Sequence, residues 1–262
     1  MAQIDPTSHI GPEVTLAEDV IVGPHCSLTG RVTIGPGTRL VGHTYVYGPV
    51  VIGSNNIIYP FCCIGFAPQD FKFDPNTAGP GVVIGDRNLM REQCTIHRAT
   101  HAAQPTTLGS DNMLMLGAHL AHDVQVGSRC VLTNNAGVAG HSVLHDQVIL
   151  SAGALIAHKV HIGRLVFIGG GMGAAQHVPP FAMSRRIGLI TGINIIGMRR
   201  AGMGDEEIRQ VRWAHGVLLH EGNTRPVATE RIRERADHSP ALQEILAFLE
   251  SITGAIMHGD RE

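Results

Sequence analysis

The sequence predicts a solenoid of short parallel strands, a parallel β-helix, followed by a helical tail. Three observations lead there. An aliphatic residue recurs every six positions through two-thirds of the chain, a second column of slim side chains follows it four places later, and a helical period replaces both towards the end. Neither a helix of period 3.6 nor a strand of period two makes a six-residue beat, whereas a coil with three flat faces does.

The beat starts at Ile4 and runs through Ile10, Leu16, Val22, Leu28, Ile34, Leu40, Val46, Ile52, Ile58 and Ile64. It resumes at Ile84, Met90 and Ile96, skips Ala102, and continues from Leu108 through Leu120, Leu132, Leu144 and Ile156 to Ile168. Each hexad is one face with its aliphatic pointing inward, so three hexads close a coil and coils stack about 4.8 Å apart. The second column includes Val20, Cys26, Val32, Thr38, Cys62, Cys94, Ala118, Cys130 and Ala136, with Asn56, Asn88 and Asn112 placed to ladder their amides. Glycine often follows the aliphatic (Gly23, Gly35, Gly85, Gly109), which predicts corners with unusual backbone angles there. The beat breaks at 66–82 and 97–107, and solenoid insertions map to loops on a working face. The predicted organisation is a β-helix over 1–190 carrying these two loops and an α-helical domain over 191–262. In the latter, 205–220 has helical spacing around Trp213, and Ser239-Pro240 reads as an N-cap with proline at the first helical position.

The bulk numbers exclude several classes. The 262 residues hold one large domain and a smaller one, and a formal charge of −2 offers nucleic acid or an anionic membrane no basic surface. No stretch reaches the roughly 18 apolar residues of a spanning helix, and the start lacks the basic and apolar regions of a signal peptide. Four of five cysteines fall in the inward column, where cysteine acts as a small hydrophobe. These features predict a cytoplasmic protein.

The chemistry lies in the histidines, 16 in all, crowded between 97 and 161 at His97, His101, His119, His122, His141, His145, His158 and His161. Eighteen residues make one coil, so His122, Gly140 and His158 share a column, and Asp123 and His141 share the adjacent one. An imidazole, a carboxylate to orient it and a glycine N–H for an oxyanion suit base catalysis, and all lie outside the inward columns. Zinc solenoid enzymes space two ligands five apart, whereas His119 and His122 are three apart, so no metal is expected. Asp70 and Lys72, flanked by Phe71 and Phe73 in the first loop, are candidate binding residues. Arg199-Arg200 beside Asn194 reads either as a cationic helix end or as a diphosphate site.

Taken together, Gln69-Asp70-Phe71-Lys72, Ile84-Gly85-Asp86-Arg87-Asn88, Thr95-Ile96-His97-Arg98, His119-Leu120-Ala121-His122-Asp123, Ala139-Gly140-His141, Val178-Pro179-Pro180 and Asn194 with Arg199-Arg200 resemble the acyl-ACP–UDP-N-acetylglucosamine O-acyltransferases, which begin lipid A synthesis. The resemblance covers essentially the full length. It implies a left-handed β-helix, a homotrimer with clefts between subunits, and transfer of a (3-hydroxy)acyl chain from acyl carrier protein to the 3-hydroxyl of a UDP-amino sugar, without metal or dissociable cofactor. By position it makes His122 the general base, Asp123 its orienting neighbour and Gly140 the oxyanion donor. Asp70, Lys72, His119 and His141 would contact the sugar nucleotide, with Asn194 and Arg200 reaching it from the adjoining subunit. Gly170 would leave room for a long acyl chain. His158 joins this set as the second histidine of the base's column.

Several positions depart from the family pattern. Ala157 stands where a histidine is usual, with His158 one place later. Ile196 replaces an acidic residue, Ala201 replaces an arginine, and Ser184-Arg185-Arg186 replaces a Gly-Asn pair. These changes predict a weaker grip on the nucleotide. Two rival readings stay open: a paralogue acylating another UDP-sugar or a 3-amino sugar, and a non-catalytic trimeric scaffold or carrier-protein binding module. The intact His122, Asp123 and Gly140 set speaks against the latter.

Overall fold

Consecutive hexads fall on three parallel sheets in rotation, so every third strand stacks on the one before. The computed structural model describes residues 1–77, 79–100 and 104–260, so His101 and Ala102 lie outside the described residues. The coil is a left-handed parallel β-helix. The first sheet starts with Gln3–Ile4, the second with His9–Ile10 and the third with Val14–Leu16. Pairing is parallel, as in Gln3 against Ile21 and Val131 against Ile149. Inward aliphatics from Val22 to Ile168 are buried, each worth roughly 1.5–3 kcal/mol. Ile4 stays 44% exposed because no coil stacks on its outer side.

The glycine expectation needs correcting. The left-handed corner residue comes three places after the aliphatic, not one, and is mostly not glycine: His25, His43, Asn55, Arg87, Asp111, Asp123, Asn135, His141 and Lys159 all have φ between 48° and 62°. Of the glycines directly after the aliphatic, Gly35 and Gly85 serve close packing instead. A Cβ on Gly35 would lie 2.8 Å from the Gly53 carbonyl carbon, and one on Gly85 would lie 2.8 Å from the Gly109 oxygen. Coil spacing, rather than turn geometry, selects glycine there.

Both insertions leave from the corner between the second and third sheets. Strand Cys63–Phe66 precedes the first, Thr95–His97 precedes the second, and Val82–Ile84 and Thr106–Leu108 resume the third sheet. Register is restored after each by buried asparagines. Asn56 Oδ1 accepts from Asn88 N and Nδ2 at 2.9 and 3.0 Å, and Asn88 Oδ1 accepts from Asn112 at the same distances. Arg98 is buried over the Tyr47 and Phe73 rings and donates to the Pro75 carbonyl, tying the first loop to the coils.

Helices α1 (Ile195–Arg200), α2 (Asp205–Leu219), α3 (Arg225–Arg233) and α4 (Pro240–Ser251) follow. Ser239 caps α4 by accepting from Leu242 N, as the Ser-Pro pair predicts. Val211, Ala214, Ile232, Ile245 and Leu249 form a second core. Contacts that seat it on the coils include Arg164 with Glu244 at 2.7 Å, His215 Nε2 donating to the Pro180 carbonyl at 2.9 Å, and His258–Gly259 pairing with Leu189–Ile190.

Burial pushes His215 and His97 down to about 4, with His119 and His122 adding to the effect at His97. Both are neutral when folded and charge in the unfolded chain below about pH 6.5, so stability falls as pH drops from 6.5 towards 4. Between pH 7 and 5 each should cost about 2 kcal/mol. Urea unfolding at the two values should show this loss, and His215→Gln should recover part of it. Equal midpoints in the wild type would contradict it.

Candidate active site

The corner that carries both loops carries the catalytic candidates on the next three coils. Asp123, His141 and Lys159 are its left-handed residues, with φ of 60°, 59° and 62°, and His122, Gly140 and His158 immediately precede them. The αL backbone turns neighbouring side chains out of the coil, so the column arithmetic becomes a real cluster. His122 and His141 rings meet edge-on with centroids 5.1 Å apart, and His141 and His158 do so at 5.0 Å.

His122 Nδ1 lies 2.7 Å from Asp123 Oδ2. The carboxylate also accepts from Thr100 N at 3.0 and 3.1 Å and from Thr100 Oγ1 at 2.6 Å, and His141 Nε2 is 3.6 Å away. Desolvation pushes the Asp123 carboxyl up, but hydrogen bonds from Thr100 and His122 outweigh it and hold it below the usual range. An ionised carboxylate only accepts, so His122 Nδ1 carries a proton, and the neutral ring is held in the tautomer whose lone pair is on Nε2. That ring lies against Gly140, where a Cβ would be 2.6 Å from Cε1 and 2.7 Å from Nε2. The Ala139 and His141 amides on either side are spent on the coil ladder, while Gly140 N–H has no backbone partner among the described residues.

A cleft of 630 Å³ opens beside this group. Its lining combines polar side chains (Gln69, His97, His119, His122 and His158) with small and apolar residues (Gly137, Leu155, Ile156, Gly173 and Ala174). Leu155 is exposed between Gly137 and Gly173 on the outer row of the second sheet and leans over Gly137, where a Cβ would lie 3.0 Å from its Cδ2. Burial, and to a lesser extent the neighbouring His122, lower the pKa of His119, whose Nδ1 pairs with Thr95 Oγ1 at 2.7 Å. Desolvation, then Lys159 and His122, lower that of His158, with Asp123 opposing.

The remaining sequence candidates are dispersed in the single chain. Asp70 and Lys72 lie exposed in the first loop outside the cleft lining, and Asp70 accepts from the Lys72 amide at 2.9 Å. Gly170 is exposed and apart from the cleft, and a Cβ there would meet only the Ala152 oxygen, at 3.5 Å. Asn194 is nearly buried and spends its carboxamide within the chain, accepting from Gly197 N at 3.0 Å and donating to the Leu165 carbonyl at 2.8 Å. It caps α1, which positions Arg200 on the rim of a second cavity. That cavity, of 580 Å³, is lined by Leu165, Phe167, Met183 and Ile193, with Arg129, Arg185 and Arg200 at its edge. Sequence reasoning missed Thr100 and Gln69 as site residues. Thr100 carried no column signal because it sits in an insertion, and Gln69 was visible only as part of a motif.

Several solved structures share this architecture. The UDP-N-acetylglucosamine acyltransferase of Bacteroides fragilis is 32% identical with a TM-score of 0.93, covering 98% of this chain and 100% of that one. The UDP-N-acetylglucosamine O-acyltransferase of Moraxella catarrhalis is 31% identical with a TM-score of 0.92, covering 97% and 99%. The chain belongs to the UDP-N-acetylglucosamine O-acyltransferase family. The Francisella novicida UDP-N-acetylglucosamine acyltransferase is similar too, at 30% identity, TM-score 0.94 and coverage of 98% and 94%. Residues 177–257 match the family model described as the second domain of Udp N-acetylglucosamine O-acyltransferase. The protein is accordingly an acyltransferase.

Within that family, the departures noted in the sequence gather at two places. Ala157 lines the cleft beside His158, while Ile196 and Ala201 line the second cavity next to Arg185 and Arg200. Arg185 thus offers a guanidinium where Ala201 lacks one. Arg186 turns away and pairs with Asp260 at 3.0 Å.

Gly140→Ala should lower turnover at least tenfold, because its methyl would displace the His122 ring, while the melting temperature stays within a few degrees. Steady-state kinetics and calorimetry check this, and wild-type turnover in the folded variant would contradict the packing of His122 on Gly140.

Proposed function

We propose that the enzyme moves a (3-hydroxy)acyl chain from an acyl carrier protein thioester to the 3-hydroxyl of UDP-N-acetylglucosamine, the first step of lipid A biosynthesis. The observation that carries this reading is the Asp123–His122 pair laid against Gly140 in a cleft whose lining is part polar and part apolar. His122 Nε2 takes the hydroxyl proton as the sugar oxygen attacks the thioester carbonyl. The Gly140 N–H donates to the resulting oxyanion. Collapse breaks the C–S bond, and the departing thiolate takes the proton back from Nε2. Asp123 stays ionised throughout and holds the ring in the tautomer that accepts at Nε2.

The exposed apolar surface around Leu155 suits the acyl chain, and Gln69, His119 and His141 suit the sugar. Asp70 and Lys72 would close over the nucleotide from the first loop. A homotrimer completes the site. The outer row of the first sheet is apolar from Ile57 through Leu89, Met113, Val131 and Ile149 to Phe167, which is the composition of a covered face rather than a wet one. Placed across that face, Arg200 and Arg185 would meet a neighbour's diphosphate, and Gly170 would border its acyl chain. Among the described residues no helix is long and apolar enough to cross a membrane. The five cysteines are free thiols, and we place the reaction in the cytoplasm with the acyl carrier.

Mass spectrometry of products from UDP-N-acetylglucosamine and a panel of acyl carrier thioesters tests the reaction. An ester-linked acyl sugar nucleotide is expected, and an amide or no transfer would overturn the assignment. His122→Ala should cut kcat by roughly 10²- to 10⁴-fold with the assembly intact by sedimentation. Retention of more than half of wild-type turnover would remove His122 as the base.

A further inference from the structure

The three imidazoles at the corner form a group that base catalysis does not need. One base and one oxyanion donor suffice, yet His122, His141 and His158 each direct a ring nitrogen into the same space, all within 4.8 Å of one another. Positions two coils apart are separated by about 9.6 Å along the axis, but the His122 and His158 ring centroids are only 6.3 Å apart. Gly140, on the coil between them, leaves the gap into which the His122 ring leans, and His141 closes the third side.

We propose that these three histidines bind a transition-metal dication of the zinc class, and that the bound ion blocks the base. Three neutral imidazoles select zinc, nickel or copper over magnesium or calcium, which prefer oxygen ligands. A tetrahedral ion with bonds near 2.0–2.1 Å needs nitrogens about 3.3 Å apart. Closing from 4.8 Å asks for ring movements on the order of 1 Å, and the exposed His158 side chain is able to supply them. The second layer is already in place. Asp123 Oδ2 holds His122 Nδ1 at 2.7 Å and is itself fixed by Thr100, so Nε2 is the ligand atom and its ring cannot turn over. A histidine held from behind by a carboxylate is the usual support of a zinc ligand. The fourth position faces the open cleft. The spacing of His119 and His122 concealed this site, since the ligands come from three coils rather than one.

Occupancy would engage the Nε2 lone pair that accepts the sugar proton. The blockade therefore rests on His122 being the base, whereas binding does not. Untagged, chelator-stripped protein is to be titrated calorimetrically with zinc chloride and, separately, magnesium chloride. One zinc per chain and no magnesium binding are expected. His158→Gln, at an exposed position, should weaken zinc at least tenfold, and His141→Gln should do the same, with the fold checked by circular dichroism. Asp123→Asn should weaken it by roughly 10- to 100-fold through the lost support. No zinc binding in the micromolar range, or an affinity unchanged in both histidine variants, overturns the site. Acyl transfer measured at the same zinc concentrations should fall in step with occupancy. Zinc bound at one per chain with transfer undiminished would leave the site standing but overturn the blockade and the role given to His122.

Discussion

The parallel backbone ladder between coils is the constraint on which the rest of the molecule depends. Each coil donates to and accepts from the next at fixed spacing, so a residue's position is set by its place in the eighteen-residue turn. Aliphatics that line up along the axis build the core as a consequence, and so do the asparagines Asn56, Asn88 and Asn112. The last three matter because the chain leaves the ladder twice. Their amides span the two interruptions and return the chain to register, so the coils beyond the loops face the same way as those before.

The active site follows from the same constraint. His122 and Asp123 are neighbours in sequence, which alone would send their side chains apart. The left-handed backbone at Asp123 turns its carboxylate back beneath the imidazole, and Thr100 from the second insertion fixes it there. Gly140 sits one coil further along, where its missing side chain is filled by the His122 ring. The proposed base, its carboxylate and the proposed oxyanion donor therefore come from two adjacent coils set by the backbone ladder, with Thr100 of the second insertion bracing the carboxylate. Such preorganisation costs nothing at the moment of reaction.

Much of this was legible in the sequence, and the limits have physical causes. The six-residue beat revealed the three-faced coil because a solenoid repeats its environment, and column arithmetic brought His122, Gly140, His158, Asp123 and His141 together for the same reason. Glycine misled because it was read as a turn residue when coil-to-coil contact was the tighter constraint. Thr100 and Gln69 escaped notice because insertions have no period. Asp70, Lys72, Gly170 and Arg200 lie away from the cleft of one chain, so the place proposed for them requires loop closure and a neighbouring subunit. Asn194 turned out to hold α1 and thereby to aim Arg200, a role no linear pattern displays.

The central claim is that Asp123 fixes the His122 ring with its proton on Nδ1 and a free lone pair on Nε2. Nitrogen NMR of histidine-labelled enzyme, read on the neutral His122 ring, measures this directly, with His122→Gln supplying the assignment. The structure predicts a protonated Nδ1, hydrogen-bonded and protected from solvent exchange, and an unprotonated Nε2. A His122 ring protonated at Nε2, or exchanging freely between the two forms, would contradict it.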